Sequence, residues 1–434
     1  MIHVTKGRHR MEKQHSYKDV LSQKEYLKMM LAALINRFGD SIDAIASTWI
    51  VYQLTNSAAW SALIFGINNL PTVLITPFAG TWVEGRNKKI IMIVTDIIRA
   101  IVVAMVASLF LAGLLRPWML LVSNILISTV EAFRGPADTA LTPKVLDEEL
   151  YEYGMSLHSS LSQIVQLVGM GCAAGIIALI GISGALYIDM GTFIISSIII
   201  LFVNIKNDEL VKKTFHISGY VEDFKDGIRY VSKENVIVFF LLYTVFINAI
   251  LVPINGLQAP LADTVLHNGV EILSILSVSV SLGMLSGSIT YPHISKFVSN
   301  KGINVINGLI IGLFYILIIC AKPLYSNSLT TCLVVAILSF VLGLGVAYGN
   351  CMMNIVFMKK VDKKYIARAV AIATSVGVAA MPVVSFCISV LASVVNVEVI
   401  FIVAGLLDFV VVYCLSKNNA LDEDDAEEIL LAND

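Results

Sequence analysis

Apolar runs recur along almost the whole chain, and the charged residues gather in short islands between them. Crossing a bilayer as a helix takes roughly 20 mostly apolar residues. Twelve runs meet that length, near residues 29–54, 59–83, 90–114, 118–141, 155–179, 184–205, 236–258, 271–294, 302–321, 329–353, 366–392 and 396–416. The pattern predicts an all-α integral membrane protein with twelve transmembrane helices. The first span is the least regular, because Arg37, Asp40 and Asp43 lie inside it.

The longest internal polar segment, Lys206–Asn235, falls between the sixth and seventh spans. It divides the chain into an N-terminal tail (1–28), an N-terminal six-helix half (29–205), a cytoplasmic linker (206–235), a C-terminal six-helix half (236–416) and an acidic, solvated tail (417–434). Val221–Asn235 has the pattern of an amphipathic helix lying on the membrane. Of the 30 basic residues, 25 fall on one side of the predicted membrane and two, Arg116 and Lys322, on the other. Basic residues collect on the cytoplasmic side. Both termini are therefore expected inside, in a multi-pass protein of the inner or plasma membrane. The first 28 residues are polar and basic, with no apolar core of a signal peptide. Two parallel six-helix halves are the plan of a large class of secondary transporters.

Composition narrows the class. The chain of 434 residues is 57% hydrophobic and 14% charged, against about 25% charged in soluble domains. That excludes an ordinary soluble enzyme and a nucleic-acid binder. The six cysteines (Cys172, Cys320, Cys332, Cys351, Cys387, Cys414) sit mostly inside apolar runs without metal-ligand spacing. His158, His267 and His293 have no such spacing either. No nucleophile–base pattern, phosphate loop or ATP motif appears, so no enzyme activity, cofactor or resident metal is expected.

Ionised side chains in hydrocarbon are expensive and therefore face a cavity or one another. At ~100° per residue, Asn36, Asp40, Asp43 and Ser47 form one stripe of the first span with Arg37 on its flank, and Asn124, Glu131, Arg134 and Asp138 cluster on one face of the fourth. Two such stripes in one half point to a shared aqueous cavity. One reading is a proton relay through Asp40, Asp43, Arg37, Glu131 and Arg134. The other is a set of static pairs, Arg37–Asp40 and Glu131–Arg134, each at i,i+3; Asp96 and Arg99 are spaced to pair in the same way. Asp189 and Asp408 have no visible partner.

A substrate pocket between the halves would draw on Asn36, Asn68, Asn69, Gln163, Gln166, Tyr243, Asn248, Asn255, Gln258, Tyr348, Asn350 and Asn354. For each amide, helix–helix hydrogen bonding is the competing role. Such a pocket is acidic on one side and apolar and amide-lined on the other. It suits an amphiphilic, cationic organic solute better than a phosphorylated sugar, which would want paired basic residues. Gly169, Gly171 and Gly175 permit close helix approach.

Between the second and third spans stands Gly80-Thr-Trp-Val-Glu84-Gly-Arg86-Asn-Lys88-Lys89. It resembles the loop signature of the major facilitator superfamily, with Glu84 in place of the usual aspartate, Gly85 where arginine is preferred and Asn87 where glycine is preferred. The stretches Leu242–Gly256, Phe133-Arg-Gly-Pro-Ala-Asp-Thr-Ala-Leu-Thr-Pro and Phe224-Lys-Asp-Gly-Ile-Arg-Tyr are similar to the macrolide-efflux-type branch. The resemblance implies the major facilitator fold. It also implies alternating access, proton-coupled export of a lipophilic or amphiphilic organic compound of drug or macrolide type, and a monomer whose partners are that substrate, protons and membrane lipid. It assigns Gly80, Glu84, Arg86, Lys88 and Asp138 to a cytoplasmic gate. Two departures leave the direction open: the first half of span four has no arginine, and span five has no Gly-Pro pair. An importer or facilitator of a nutrient or metal chelate, a lipid translocator and a non-transporting receptor are the alternatives.

Overall fold

The computed structural model describes residues 16–84, 86–205, 235–360 and 366–417. Most of the expected N-terminal tail, the linker with its amphipathic stretch and the acidic tail lie outside the described residues. Among the described residues the chain is helical, with no strand.

The helices are α1 (Tyr17–Val20), α2 (Lys24–Thr55), α3 (Ala58–Glu84), α4 (Lys88–Leu111), α5 (Pro117–Val145) and α6 (Tyr151–Leu201), then α7 (Asn235–Ile250), α8 (Val252–Gly256) and α9 (Gln258–Thr264). The chain continues with α10 (Glu271–Ile294), α11 (Asn300–Cys320), α12 (Ser328–Lys360), α13 (Ile366–Ala392) and α14 (Val397–Ser416). These elements carry all twelve predicted spans. Spans five and six run together as α6, broken at Gly181 (φ 75°, ψ 172°). That backbone conformation is open to glycine and costly for other residues. A Cβ there would meet nothing within 4 Å, so the constraint is the backbone and not space. Span seven is divided among α7, α8 and α9.

Nine of the described helical stretches are long and apolar enough to cross a membrane. Helices α2 and α5 are missing from that set, although they are 32 and 29 residues long. They carry Arg37, Asp40 and Asp43, and Glu131, Arg134 and Asp138. A charge-bearing helix is tolerated in a bilayer where its polar stripe is turned away from lipid.

Helices α2–α6 pack mainly on one another, as do α7–α14. The two groups meet chiefly where α3 lies against α13 and α8, and α6 against α10. One end of the bundle carries Arg86, Lys88, Lys89, Lys144, Lys296 and Lys301 and is called the basic end; the opposite, base-poor end carries Arg116 and Lys322. At the basic end the last carbonyls of α6 lack helical donors. Lys28 Nζ reaches the Phe202 carbonyl at 2.9 Å, and Lys89 Nζ reaches those of Leu201 and Val203 at 2.7 and 2.8 Å. Cations suit this position because a helix C-terminus is negative. Glu25 accepts the Asn204 backbone N–H at 2.6 Å and pairs with Lys28 at 2.8 Å. Those two contacts, the backbone bond first, hold its carboxyl below the ordinary range.

Candidate functional site

A cavity of about 730 Å³ lies between the two groups of helices. Its first-half wall carries Arg37, Asp40 and Asp43 of α2, Asn68 of α3, Arg99 of α4, and Asn124 and Glu131 of α5. Its second-half wall is apolar and amide-bearing, with Asn248 of α7, Asn255 of α8, Gln258 of α9 and Asn350 of α12 among residues such as Ile247, Leu276 and Val346. The acids and arginines of α2 and α5 thus open on a common space, apart from Arg134 and Asp138.

The ion pairs run between helices and not along them. Arg99 Nη2 lies 2.6 Å from Asp40 Oδ1, and its guanidinium carbon sits 4.1 Å from the centre of the Phe193 ring. Arg134 Nε donates to Asp96 Oδ1 at 2.6 Å. This corrects the i,i+3 pairing expected for Arg37–Asp40, Glu131–Arg134 and Asp96–Arg99. Periodicity tells which face a residue occupies, whereas the neighbouring helix offers the closer counter-charge. Arg37 and Glu131 are exposed on the cavity, with no ion pair among the described residues. Asp43 accepts the Ser47 hydroxyl at 2.7 Å.

Behind the wall, Asp96 is fully buried and gathers donors from three helices. It accepts Arg134 from α5, Asn36 Nδ2 from α2 at 3.2 Å to each oxygen, and Ser196 Oγ from α6 at 2.7 Å. Asn36 therefore belongs to this network and not to the cavity wall. Asp189 is 1% exposed beside Gly39, where a Cβ would lie 2.4 Å from its Oδ1 and 2.1 Å from Thr192 Oγ1. Glycine at 39 is what lets α2 and α6 approach so closely.

The other expected substrate residues divide. Asn68, Asn248, Asn255, Gln258 and Asn350 line the cavity. Asn69, whose amide donates to the Phe65 carbonyl at 2.9 Å, and Gln163, Gln166, Tyr243, Tyr348 and Asn354 do not. Tyr243 is buried and its hydroxyl accepts from Asn307 at 2.7 Å; the Tyr348 hydroxyl is 2.9 Å from that of Thr290. Arg99, paired in the sequence with Asp96 alone, proves to be a cavity residue. Its face of α4 points to the cavity, a direction the sequence of α4 does not reveal.

The expected gate residues lie at the basic end. Arg86 donates to the Trp82 carbonyl at 3.1 Å and stacks 3.8 Å from its ring centre, Lys88 is buried, and a Cβ at Gly80 would meet nothing within 4 Å. Asp138 lines a separate, smaller cavity. The Glu84 side chain lies outside the described residues.

The central cavity is closed at the base-poor end. There the Tyr52 hydroxyl donates to Asp263 Oδ2 at 2.9 Å, the Ser389 hydroxyl to the Ala59 carbonyl at 2.8 Å, and the Ser385 hydroxyl to the Ala62 carbonyl. Gly66 and Gly256 sit in the same seam.

A family model described as the Major Facilitator Superfamily matches residues 29–385. The MFS-type transporter YvqJ of Bacillus subtilis, itself uncharacterized, is 21% identical over 268 residues, 61% of this chain and 64% of that protein, so the match spans a little under two thirds of that relative. Macrolide efflux protein A of Streptococcus pyogenes is 24% identical over 383 residues, covering 84% of this chain and 89% of that protein. Among solved structures, the nucleoside transporter NupG superposes with a TM-score of 0.69 at 12% identity, over 90% of this chain and 98% of that one.

Proposed function

The chain belongs to the Major Facilitator Superfamily, and on that footing we propose that it is a secondary active exporter in a bacterial plasma membrane. It moves a lipophilic or amphiphilic organic compound, preferably a cation, out of the cytoplasm in exchange for protons. The basic end faces the cytoplasm, in keeping with the excess of Lys and Arg there. The cavity closed at the base-poor end then belongs to the inward-facing half of an alternating-access cycle.

The observation that carries this reading is the charge on the cavity wall. Three carboxylates (Asp40, Asp43, Glu131) face two guanidiniums (Arg37, Arg99), and among the described residues only Asp40 of the three is in an ion pair. Asp43 and Glu131 are thereby free to hold either a proton or a positively charged substrate, and a cation entering from the cytoplasm displaces the proton. Rocking exposes the cavity on the other side, where protons compete the substrate off. Asp40 stays neutralised by Arg99 throughout. The apolar and amide-bearing second half supplies the surface for a lipophilic body. The name of the macrolide efflux relative supports export of a large organic compound.

The test uses everted vesicles with an acid interior and tetraphenylphosphonium and a labelled macrolide as probes. Uptake of either probe that collapses with nigericin, and that Asp43→Asn and Glu131→Gln abolish at unchanged protein level, is the expected result. Gradient-independent movement, or full activity in both variants, refutes the coupling. Accumulation only in right-side-out vesicles makes the protein an importer.

A further inference from the structure

The polar side chains of the central cavity spend their hydrogen-bond donors on the protein and keep their acceptors for the cavity. Asn124 Nδ2 donates to the Leu120 carbonyl and Asn248 Nδ2 to the Thr244 carbonyl, each at 2.9 Å. A backbone carbonyl only accepts. The nitrogen of each amide must therefore face its own helix, and the oxygen is the atom left for the cavity that both residues line. The Asn248 nitrogen also looks toward α13, where a Cβ on Gly377 would lie 3.2 Å from it. Neither amide oxygen is shut off from open space. The hydroxyls behave alike: Thr48 donates to the Ala44 carbonyl at 2.7 Å, Ser281 to the Ser277 carbonyl at 2.9 Å and Ser47 to the Asp43 carboxylate at 2.7 Å.

The fixed donors of the wall are fewer or lie elsewhere. Arg99 is taken up by Asp40 at 2.6 Å and by the Phe193 ring. At ~1.5 Å per residue, Asp43 and Asn124 lie about 18 and 10 Å from the base-poor ends of α2 and α5, and Arg37 lies about 27 Å from that end, nearer the basic end. Asn68 turns the other way: its Oδ1 accepts the Ser128 hydroxyl at 2.7 Å, which leaves its nitrogen as a donor. Asn255, Gln258, Asn350 and Ser277 make no side-chain hydrogen bond among the described residues and can offer either kind of group. The net surplus is of acceptors, and two of them, the oxygens of Asn124 and Asn248, are held in place by their own helices.

We infer that the cavity selects ammonium groups that carry N–H bonds over quaternary ones, with Asn124 and Asn248 as the specificity-determining residues. The inference rests on the reading of this cavity as a site for a lipophilic cation. A primary ammonium has three N–H donors, and the wall offers it the Asp43 carboxylate and two amide oxygens. A quaternary ammonium meets the charge but leaves both oxygens without a donor, and an acceptor stripped of water without a replacement is costly. Sites built to hydrogen-bond a substrate reject the analogue that lacks the bonding group far more strongly than apolar pockets sort by size. The cavity volume of about 730 Å³ corresponds to about 24 waters at ~30 Å³ each, which leaves room for a lipophilic body against Ile247, Leu276 and Val346.

The test is calorimetric titration of the purified full chain in non-ionic detergent at pH 7, with no gradient. The probes are the (2-naphthylmethyl)ammonium ion and its N,N,N-trimethyl analogue, which has no N–H. The parent is expected to bind the primary ion at least tenfold more tightly. In Asn124→Leu/Asn248→Leu that ratio falls below threefold because the primary ion weakens, while the affinity for the trimethyl ion stays within threefold of the parent's and shows that the variant is folded. Asn124→Asp/Asn248→Asp, which keeps an oxygen at each position, retains the tenfold preference. Equal affinities in the parent, or a leucine variant that keeps the preference or weakens both ions alike, overturns the inference while leaving cation binding in place. Binding of neither ion by the parent removes the cation reading and the inference with it. Displacement of the primary ion by sodium chloride, and not by tetramethylammonium chloride at equal ionic strength, also overturns the inference, because the oxygens would then be ligands of a metal ion.

Discussion

Gly66 on α3 is the tightest point of the seam that shuts the central cavity. A β-carbon at this position would lie 2.6 Å from Ser385 Cβ and 3.4 Å from the Pro382 carbonyl oxygen, whereas carbon atoms meet comfortably at ~3.5–4.0 Å. Gly66→Val adds that carbon and two methyls beyond it. The α3 and α13 backbones must then part by about 1 Å, which breaks the hydroxyl bonds of Ser385 and Ser389 to α3 carbonyls. Two such bonds are worth ~0.5–1.5 kcal/mol each, and overpacking costs ~1–3 kcal/mol. These terms overlap, so we take ~2–4 kcal/mol against the closed seam, and nothing against a form in which the seam is open. At 1.4 kcal/mol per decade that shifts the equilibrium roughly 30- to 1,000-fold toward opening at the base-poor end.

Asn124→Cys on the cavity wall, in a background with the six native cysteines replaced, reports the shift. Its labelling by a membrane-impermeant maleimide added to intact cells is measured with and without Gly66→Val. Labelling at least tenfold faster is expected. Gly175→Val is the control, since a Cβ there meets nothing within 4 Å. An unchanged rate in folded Gly66→Val, or an equal acceleration in Gly175→Val, refutes the steric reasoning.

Other consequences follow from the charge networks. Asp96→Asn strands the buried Arg134 guanidinium and should cost ~3–5 kcal/mol, the usual penalty for breaking a buried pair from one side; a large fall in Tm is expected, with partial recovery in Asp96→Asn/Arg134→Gln, and an unchanged Tm removes the pair as a structural element. Glu25 is held below its ordinary value of 4.5 by the Asn204 N–H and Lys28, so its contribution to stability is present above that value and lost as pH falls through the lower folded one. Glu25→Gln should therefore lower Tm at pH 7 and converge on the parent in acid; a constant Tm difference at all pH values contradicts this.

The fold was legible because membrane helices announce themselves by length and apolarity. All twelve spans were visible, even where charges thinned the apolar signal of α2 and α5. What a run of apolar letters does not show is where a helix bends, so Gly181 and the division of span seven into three pieces appear only in the structure. The stripes on α2 and α5 were legible as faces: Asp40, Asp43 and Glu131 do share a cavity. Asn36 lies on the same stripe as Asp40 but one turn nearer the basic end, where α4 presents Asp96. Depth along the helix, and not face, decides that it binds a neighbour. Gln163 and Gln166 show the converse, since an amide on a membrane helix carries no mark of whether it faces a cavity, another helix or the rim.

The distribution of strong and weak contacts has a mechanical meaning. Inside the first half, Asp96 ties α2, α4, α5 and α6 together, and Arg99–Asp40 adds a second tie between α4 and α2. Breaking such buried charged contacts from one side costs ~3–5 kcal/mol. Between the halves, the polar contacts of the base-poor seam are hydroxyls on backbone carbonyls and the Tyr52–Asp263 bond, beside close glycine packing and apolar burial. Each of those hydrogen bonds is worth only ~0.5–1.5 kcal/mol when neutral and somewhat more with a charged acceptor. Polar hydroxyls freed by opening would gain water in exchange, which lowers the cost further. Taken one by one, the polar ties of the seam are therefore weaker than those within α2–α6.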